Sequence, residues 1–291
     1  MLVSKYVCIF VFITKEGIIM SNVITFGNFK GGTGKTTNAT LTGLALARAN
    51  KKTLLIDFDP QANATDIYFK TAANLDKEDL KFKQTLLSAI EEKNVENAIL
   101  NLDTNIDFIP SSADFSLYPR FLEKKFKDSY KDRVTYFNSL MKQFIDRYDY
   151  ILFDLPPTIS LISDSALYAS DWVLIILQTQ EHSLQGAESF LKYIQEQVVD
   201  EYKAPRLNLL GILPVLLKNG APVDKSTLNV AIDEFGEENM FNTLIRSMER
   251  IKRYSIRGIY NKDQYDKKII KLYDSVAQEI IERAENDDTV N

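Results

Sequence analysis

The chain has 291 residues, of which 45% are hydrophobic and 26% are charged, and its formal net charge is −5. This length and composition allow one large core, the net charge argues against a nucleic-acid binder that is basic over its whole surface, and no run reaches the about 20 apolar residues of a membrane span. The single cysteine, Cys8, excludes a disulfide framework and indicates a reducing compartment, which we expect to be the cytoplasm.

The first nineteen residues precede the first predicted strand and contain an apolar run from Tyr6 to Ile13. This run is too short to span a membrane, and no small-residue cleavage site follows it, so a signal peptide is poorly supported. Met20 stands directly before the strand, and we predict that translation begins mainly there. If residues 1–19 are translated, they form either an extra strand or a partner-binding arm, and the sequence does not choose between these two.

Apolar runs that alternate with helix-compatible stretches predict the architecture of the folded part. The predicted strands lie near residues 22–27, 53–57, 106–109, 149–154, 172–177 and 208–213. This alternation predicts an α/β fold, with a mostly parallel, twisted sheet covered by helices on both faces. We expect one domain at 22–283, with an N-terminal extension at 1–21, a charged helical elaboration at about 70–135 and an acidic tail at 284–291.

A glycine-rich segment, Lys-Gly-Gly-Thr-Gly-Lys-Thr-Thr, lies between the first strand and a helix-compatible stretch from Thr37 to Asn50. A strand, a glycine-rich turn and a helix in this order form a phosphate cradle, because small residues let successive backbone N–H groups converge on the phosphates. We expect Lys35 to reach the β- and γ-phosphates of ATP and the Thr36 hydroxyl to ligate Mg²⁺. The segment predicts a P-loop NTPase whose nucleotide-binding residues are Lys30, Gly31, Gly32, Thr33, Gly34, Lys35, Thr36 and Thr37.

Three aspartates follow at the ends of predicted strands. Asp57 and Asp59 lie two residues apart, so alternation places both on one face at the carboxyl end of their strand, where open α/β sheets bind ligands. Asp154 ends the strand at 149–154, and Pro156 and Pro157 then stop the strand and stiffen the following loop. A carboxylate in this position holds Mg²⁺, usually through water.

The glycine-rich segment departs from the usual pattern G-x-x-x-x-G-K-[ST], because Phe29 stands where glycine is expected and Lys30 adds a second lysine. In this form it resembles the deviant Walker A loop of the ParA/MinD family of partition and positioning ATPases. The sequence LLIDFDPQ at residues 54–61 is similar to a segment of the same family. The resemblance covers about residues 22–280, densely up to Gly186.

The resemblance implies roles for individual site residues. Lys30 would reach across a dimer to the partner's nucleotide and act in catalysis together with Lys35. Asp59 would position or activate the attacking water, and Asp57 would support the Mg²⁺ shell held by Thr36 and Asp154. The loop after Asp154 would sense the γ-phosphate.

A basic cluster near the carboxyl end is the candidate DNA-binding surface. The cluster contains five cationic residues and one acidic residue, Glu249. The corresponding region of ParA-type ATPases holds DNA without sequence preference. The alternative is a solvated helix face. The cluster consists of Arg246, Arg250, Lys252, Arg253 and Arg257. A second basic cluster is interleaved with acidic residues, and we expect it to be ordinary surface; its members are Lys124, Lys125, Lys127, Lys131 and Arg133.

The resemblance implies a partition ATPase with weak intrinsic activity. Mg·ATP would drive homodimer formation and binding to non-specific DNA, which would associate the protein with the nucleoid. A ParB-like centromere-binding protein would then stimulate hydrolysis and release. The divergent middle region favours a plasmid over a chromosome as the cargo.

A MinD-like positioning ATPase and a bacterial tyrosine kinase are the two alternative functions. A MinD-like membrane-associated positioning ATPase needs a terminal amphipathic helix with a basic face, whereas acidic residues crowd the end of residues 263–283. We therefore expect its apolar stripe (Ile269, Leu272, Val276, Ile280) to pack in the core, and we expect no membrane partner. A bacterial tyrosine kinase would need a flexible tyrosine-rich tail, but the tyrosines here are spread through sequence that should be structured. By position, the loop after Pro214 is the expected adenine contact.

Overall fold

The computed structural model describes residues 21–77, 80–217 and 222–286. One eight-stranded sheet forms the centre of this part of the chain. Its strands, β1 to β8 in chain order, are Asn22–Gly27, Thr53–Asp57, Leu100–Asp103, Ile106–Ile109, Tyr150–Asp154, Trp172–Gln178, Asn208–Leu217 and Ile245–Arg246.

The central strands are made of buried residues. Every residue of β2 and β5 is buried, and β1 is buried from Val23 onward. The strand order is β3-β4-β2-β5-β1-β6-β7-β8, and the strands pair in parallel except for β3 with β4. In such a sheet, ligands bind at the carboxyl ends of the strands, where the strand order reverses. The carboxyl end of β1, between β5 and β6, is that position here.

Helices cover both faces of the sheet. In chain order, α1 to α10 are Lys35–Arg48, Asn63–Asn74, Leu86–Glu91, Tyr118–Lys125, Tyr130–Met141, Leu161–Ala169, Glu181–Tyr193, Pro222–Phe235, Glu249–Arg257 and Gln264–Asn286. Successive strand residues face opposite layers. Val23 belongs to the core cluster that contains residues of α3 to α8, and Ile24 belongs to the cluster that contains residues of α1, α2, α9 and α10. The alternation of side chains along buried strands produces this arrangement of two cores on one sheet.

The predicted α/β fold with a mostly parallel sheet is confirmed, and all six predicted strands are present. Strand β7 continues four residues past its predicted end at 213. Two strands were missed: β3 has the sequence LNLD, which is not a continuous apolar run, and β8 has only two residues. Strand β3 pairs with β4 at the edge of the sheet, so the prediction that about 70–135 is a helical elaboration was wrong for this hairpin.

Several boundary predictions involve residues outside the described ranges. The predicted start at Met20 and the extension, apart from Ser21, lie there, as do residues 218–221 of the predicted adenine loop. The predicted acidic tail begins too early: helix α10 continues to Asn286, because Ala284 is packed in the core. The single domain at 22–283 stays a prediction.

A buried aspartate joins three helices on one face of the sheet. Asp164 in α6 accepts hydrogen bonds from the hydroxyl of Tyr130, which begins α5, and from that of Tyr193, which ends α7. Burial raises the pKa of the Asp164 carboxyl above its ordinary value of 3.8, and the hydroxyls of Tyr193, Tyr130 and Tyr202 oppose that rise.

We expect Asp164 to make the free energy of unfolding fall as the pH rises. Its pKa is higher in the folded state than in the unfolded state, so stability is lost as the pH rises from the unfolded value through the folded one. In Asp164→Asn, the loss of stability as the pH rises above the ordinary carboxyl value of 3.8 should be smaller, as measured by urea unfolding. The surface control Asp128→Asn should follow the wild type. Parallel curves for wild type and Asp164→Asn would contradict this expectation.

Candidate functional site

Residues 28–34 form a turn that connects β1 to α1 at the carboxyl edge of the sheet. Gly32 and Gly34 have φ values of 76° and 90°, in the left-handed region that glycine adopts without strain. Gly34 is the N-cap of α1, and within the described chain this helix has no side-chain cap and no acidic residue in its first turn. Its first N–H groups can therefore bind an anion, and the helix dipole favours negative charge there.

A cavity of about 420 Å³ opens at this turn, a size that suits a small-molecule ligand. Its wall contains seven of the eight predicted P-loop residues, 31–37, together with the predicted catalytic Asp59. Leu155 and Pro157, from the loop that the resemblance assigns to γ-phosphate sensing, also line the wall. The wall is completed by residues that the sequence analysis did not predict: Gln61, Asn63, Asp66, Ile67 and Ser255. Ser255 comes from α9, so the basic helix reaches the same cavity as the phosphate cradle.

The two predicted lysines lie in different environments. The Nζ of Lys35 donates hydrogen bonds to the carbonyl oxygens of Asn28 at 3.0 Å and Lys30 at 3.3 Å. Burial lowers the pKa of Lys35, while the negative charges of Asp154 and Asp59 raise it. The Nζ of Lys30 donates to the Oε1 of Gln180 at 2.7 Å, within the same chain. Lys30 is therefore held at the start of α7, beside the cavity wall.

Asn28 anchors the turn, and sequence reasoning missed it. Its side chain is 2% exposed and donates to the carbonyl oxygens of Ile176 at 3.0 Å and Ser183 at 3.3 Å. Its Oδ1 accepts the backbone N–H of Lys30 at 2.9 Å. Because its partners lie about 150 positions away in sequence, no local pattern could have identified this residue.

The unusual Phe29 has a packing role in place of the expected glycine. Its ring meets that of Phe190 at 4.8 Å and that of Tyr193 at 5.5 Å, both in edge-on arrangements. Both partners lie on α7, which therefore contacts the turn through rings as well as through Gln180. The departure from the usual pattern thus fixes the turn against a helix of the neighbouring layer.

Asp57 and Asp154 stand opposite each other on the adjacent strands β2 and β5. The Oδ2 of Asp57 accepts hydrogen bonds from the N–H and the hydroxyl of Thr65 at 2.8 and 2.7 Å, and its Oδ1 accepts the N–H of Asp59 at 3.2 Å. Burial raises the pKa of Asp57 to about 6 in spite of these bonds. The contacts of Asp57 thus position the start of α2.

Asp154 is fully buried, and in the described part of the chain neither carboxylate oxygen has a hydrogen-bond partner of full geometry. Burial and then the charge of Asp57 raise its pKa well above the ordinary value, and Thr36 and Lys35 only partly oppose this rise. A buried carboxylate without partners is costly unless a cation neutralises it.

The oxygens near Asp154 fit a magnesium ion. Carboxylate and hydroxyl oxygens are hard ligands, and Asp154 has two such oxygens free beside the Thr36 hydroxyl. Among the described residues, no cluster of three His, Cys, Asp or Glu side chains could hold a metal by itself. An ion at this position would therefore need further ligands from water and phosphate oxygens, as Mg²⁺ usually has.

Comparison with known proteins identifies the family. A family model described as an AAA domain matches residues 21–208. The chain is 29% identical to the chromosome-partitioning ATPase Soj of Treponema pallidum over 268 residues, 91% of this chain and 98% of that protein. It is 31% identical to the sporulation initiation inhibitor protein Soj of Bacillus subtilis over 205 residues, 68% of this chain and 74% of that protein. The chain belongs to the ParA/MinD-type ATPase family.

A solved structure supports the fold of this ParA/MinD-type ATPase. A putative plasmid partition protein from Borrelia burgdorferi, crystallised with AMPPNP, superposes with a TM-score of 0.71 and covers 91% of this chain and 99% of its own. The two sequences are 21% identical, so this likeness concerns the fold alone. The P-loop NTPase architecture expected from the sequence is therefore confirmed.

The predicted DNA-binding cluster of this ParA/MinD-type ATPase divides into two groups. Arg250 points its guanidinium at Asp263, at 2.6 Å, and Asp266, at 3.5 Å, and so joins α9 to the start of α10. The other four residues, Arg246, Lys252, Arg253 and Arg257, are exposed. Lys252 pairs with Glu249 at 2.8 Å, an exposed contact of small energetic value. The charge of Arg250 is thus already engaged within the chain.

The second basic cluster has structural contacts that fit its expected surface role. The Lys125 ammonium lies over the rings of Tyr136, at 5.0 Å, and of Phe121 and Phe126, both at 5.7 Å. Arg133 donates hydrogen bonds to the carbonyl oxygens of Phe126 and Lys127.

The apolar stripe of α10 packs in the core, as expected. Ile269, Val276 and Ile280 are buried, and Leu272 is partly buried against them. In the ranges that the structure describes, no helix is long and apolar enough to cross a membrane. Two tyrosines that a kinase tail would have to expose, Tyr254 and Tyr273, are also buried.

Proposed function

We propose that this ParA/MinD-type ATPase is a partition ATPase that binds Mg·ATP, dimerises in the ATP state and binds DNA without sequence preference. Its intrinsic hydrolysis is weak, and a ParB-like centromere-binding protein stimulates it. The observation that carries the proposal is the composition of the cavity wall. One cavity is lined by the turn at residues 31–34, by Asp59 and by Ser255 of the basic helix α9. The proposed nucleotide site and the proposed DNA surface are therefore neighbours.

Different groups of the chain bind the phosphates, hold the metal ion and orient the attacking water. The N–H groups of the turn and the start of α1 bind the phosphates, and Lys35 turns from its two carbonyl partners towards them. Asp154 and Thr36 hold Mg²⁺, which when bound neutralises charge on the phosphoryl oxygens. Asp59, whose Oδ1 accepts the N–H of Gln61 at 2.9 Å, stands in the cavity wall and orients the attacking water.

Lys30 links catalysis to dimer formation in this proposal. In the single chain its ammonium is held by a neutral amide at Gln180, through one exposed hydrogen bond. Such a contact contributes little net stability in water, so Lys30 can leave it. In the dimer, Lys30 reaches the partner's nucleotide and supplies a cation in the way an arginine finger does.

The exposed cations of α9 are the proposed phosphate contacts on DNA. We expect the double variant Arg253→Ala/Arg257→Ala to weaken binding to random-sequence duplex DNA with Mg·ATP. Each lost phosphate contact lowers the slope of log affinity against log salt by about 0.9, and the dimer loses two contacts in each protomer, so the expected decrease is about 4. Salt-titrated gel shifts with Mg·ATP and with Mg·ADP measure it. The double variant Arg120→Ala/Lys142→Ala, which removes two exposed cations elsewhere, should keep the wild-type slope.

The same titrations can overturn the proposal. If the wild type hydrolyses ATP but ignores DNA in every nucleotide state, the partition function fails at its central step. Equal slopes for wild type and the α9 double variant would remove α9 as the DNA surface. ATP-dependent pelleting with anionic lipid vesicles would then favour the MinD-like alternative.

A further inference from the structure

Helix α2 connects the nucleotide cavity to the basic helix α9. At its first turns, Asn63, Asp66 and Ile67 line the cavity. Thr65 there donates two hydrogen bonds to the buried Asp57, and its hydroxyl also accepts the N–H of Ser111. The start of α2 is thus attached to the segment that contains Asp57, predicted to support the Mg²⁺ shell, and Asp59, predicted to position or activate the attacking water.

The other end of α2 is attached to the end of α9. The hydroxyl of Thr71, which is 2% exposed, accepts the N–H of Ile259 at 2.9 Å and donates to the carbonyl oxygen of Ile67 at 2.7 Å. The Nδ2 of Asn74 donates to the carbonyl oxygen of Arg257 at 2.9 Å. These two bonds attach the residues on both sides of Gly258, which directly follows the last residue of α9.

Gly258 brings the two backbones into direct contact. Its φ of 74° lies in the left-handed region, and a Cβ at this position would lie 2.4 Å from the carbonyl carbon of Lys70 and 2.5 Å from the nitrogen of Thr71. Only glycine fits this approach, because its backbone neighbours cannot move aside as a flexible side chain could. The junction between α2 and α9 is therefore close-packed.

Between these attachments, α2 is one uninterrupted helix of 12 residues, about 18 Å long at about 1.5 Å per residue. A helix packed in this way moves as a unit, so a displacement at its first turn reaches its last turn. The outer face of α9 is open to solvent, since Ile256 is 68% exposed and Lys252, Arg253 and Arg257 are also exposed, whereas Arg250 on its other side is paired with Asp263 and Asp266.

We propose that α2 transmits the nucleotide state to the basic helix α9 within one protomer, with Thr71, Asn74 and Gly258 as positioning residues. This inference rests on the proposed function and adds a regulatory route to it. A dimer that only doubles a fixed patch would raise DNA affinity through the number of patches. The route through α2 instead changes the placement of the cations in each protomer.

A matched pair of variants at Thr71 tests this route. Thr71→Val keeps the shape of the side chain but removes the hydroxyl that Ile259 and Ile67 share, whereas Thr71→Ser keeps the hydroxyl. For each protein, ATP turnover, dimerisation with Mg·ATP by sedimentation, and the ratio of DNA affinities with Mg·ATP and Mg·ADP are measured. We expect Thr71→Val to keep turnover and dimerisation within about twofold and to lose at least about fivefold of the affinity ratio, a typical coupling between sites. Thr71→Ser should restore the ratio.

Each outcome has a defined meaning. A Thr71→Val protein that dimerises and keeps the full affinity ratio overturns the inference and leaves the proposed function intact. A wild-type protein that binds DNA in no nucleotide state overturns the proposed function itself. If circular dichroism shows that Thr71→Val does not fold, Asn74→Ala, at the more exposed bond to Arg257, replaces it, and an unchanged ratio there is the overturning result.

Discussion

ATP turnover is expected to fall by about 10²–10³-fold in Lys35→Ala, the loss typical of removing one charge-stabilising group from an active site. Lys35 is 7% exposed and lies between two carbonyl oxygens of the turn and the carboxylates of Asp154 and Asp59. Alanine removes the cation that faces the phosphates and leaves both carbonyl groups without this partner. Steady-state phosphate release at saturating Mg·ATP measures the loss.

The matched control for this experiment is Lys52→Ala, at the amino end of β2 and exposed. Lys52→Ala removes the same charge at the opposite edge of the sheet, where the strands begin. It should keep turnover within about twofold, as surface substitutions usually do. Turnover in Lys35→Ala within about tenfold of wild type would contradict the assignment. ATP-dependent DNA binding should disappear with turnover in the same variant.

Asp154→Asn is expected to lower ATP turnover by about 100-fold or more and, at the same time, to stabilise the protein without ligand. The substitution keeps the shape but removes a buried carboxylate whose burial Thr36 and Lys35 only partly offset. A gain of about 1–2 kcal/mol corresponds to a melting temperature about 2–8 °C higher. Mg·ATP should stabilise the wild type strongly and the variant weakly, because the variant lacks the metal ligand.

The stability difference between the wild type and Asp154→Asn should depend on pH in a defined direction. The pKa of Asp154 is raised in the folded state, so the wild type loses stability as the pH rises from about 4 through the folded pKa. The advantage of Asp154→Asn should therefore grow as the pH rises above the ordinary carboxyl value of 3.8 in thermal unfolding without ligand. The surface control Asp128→Asn should show no such growth. A lower melting temperature for Asp154→Asn at neutral pH would contradict the role of burial.

The parts of the site that could be predicted were those whose chemistry is contiguous in sequence. Residues 31–37 and the pair Asp57 and Asp59 stand in short motifs, and the structure gathers the turn and Asp59 in one cavity. The contact between Asp57 and Thr65 was not predicted, because strand alternation places a carboxylate but does not reveal its donors. The role of Asn28 was missed because β6 and α7 supply its partners.

Charge counting was less informative than motif reading. Five cations between Arg246 and Arg257 form one cluster in sequence, but Arg250 is engaged by Asp263 and Asp266, which follow α9 along the chain. The buried strands of the parallel sheet could be predicted because continuous apolar runs mark them. The edge strands β3 and β8 could not, since β3 alternates leucine with polar residues and β8 has two residues, so that pairing with a neighbour defines both of them.

The position of β1 in the sheet has a consequence for biosynthesis. The neighbours of β1 in the sheet, β5 and β6, lie more than a hundred residues later in the chain, and so do Ile176 and Ser183, which accept the hydrogen bonds of Asn28. At about 5–20 residues per second, on the order of ten seconds or more separate the synthesis of the phosphate turn from that of its anchors. A nascent chain therefore carries the complete P-loop motif without its folded cradle. We expect nascent chains that end before β6 and α7 to bind no nucleotide, because the anchors of the turn are still missing.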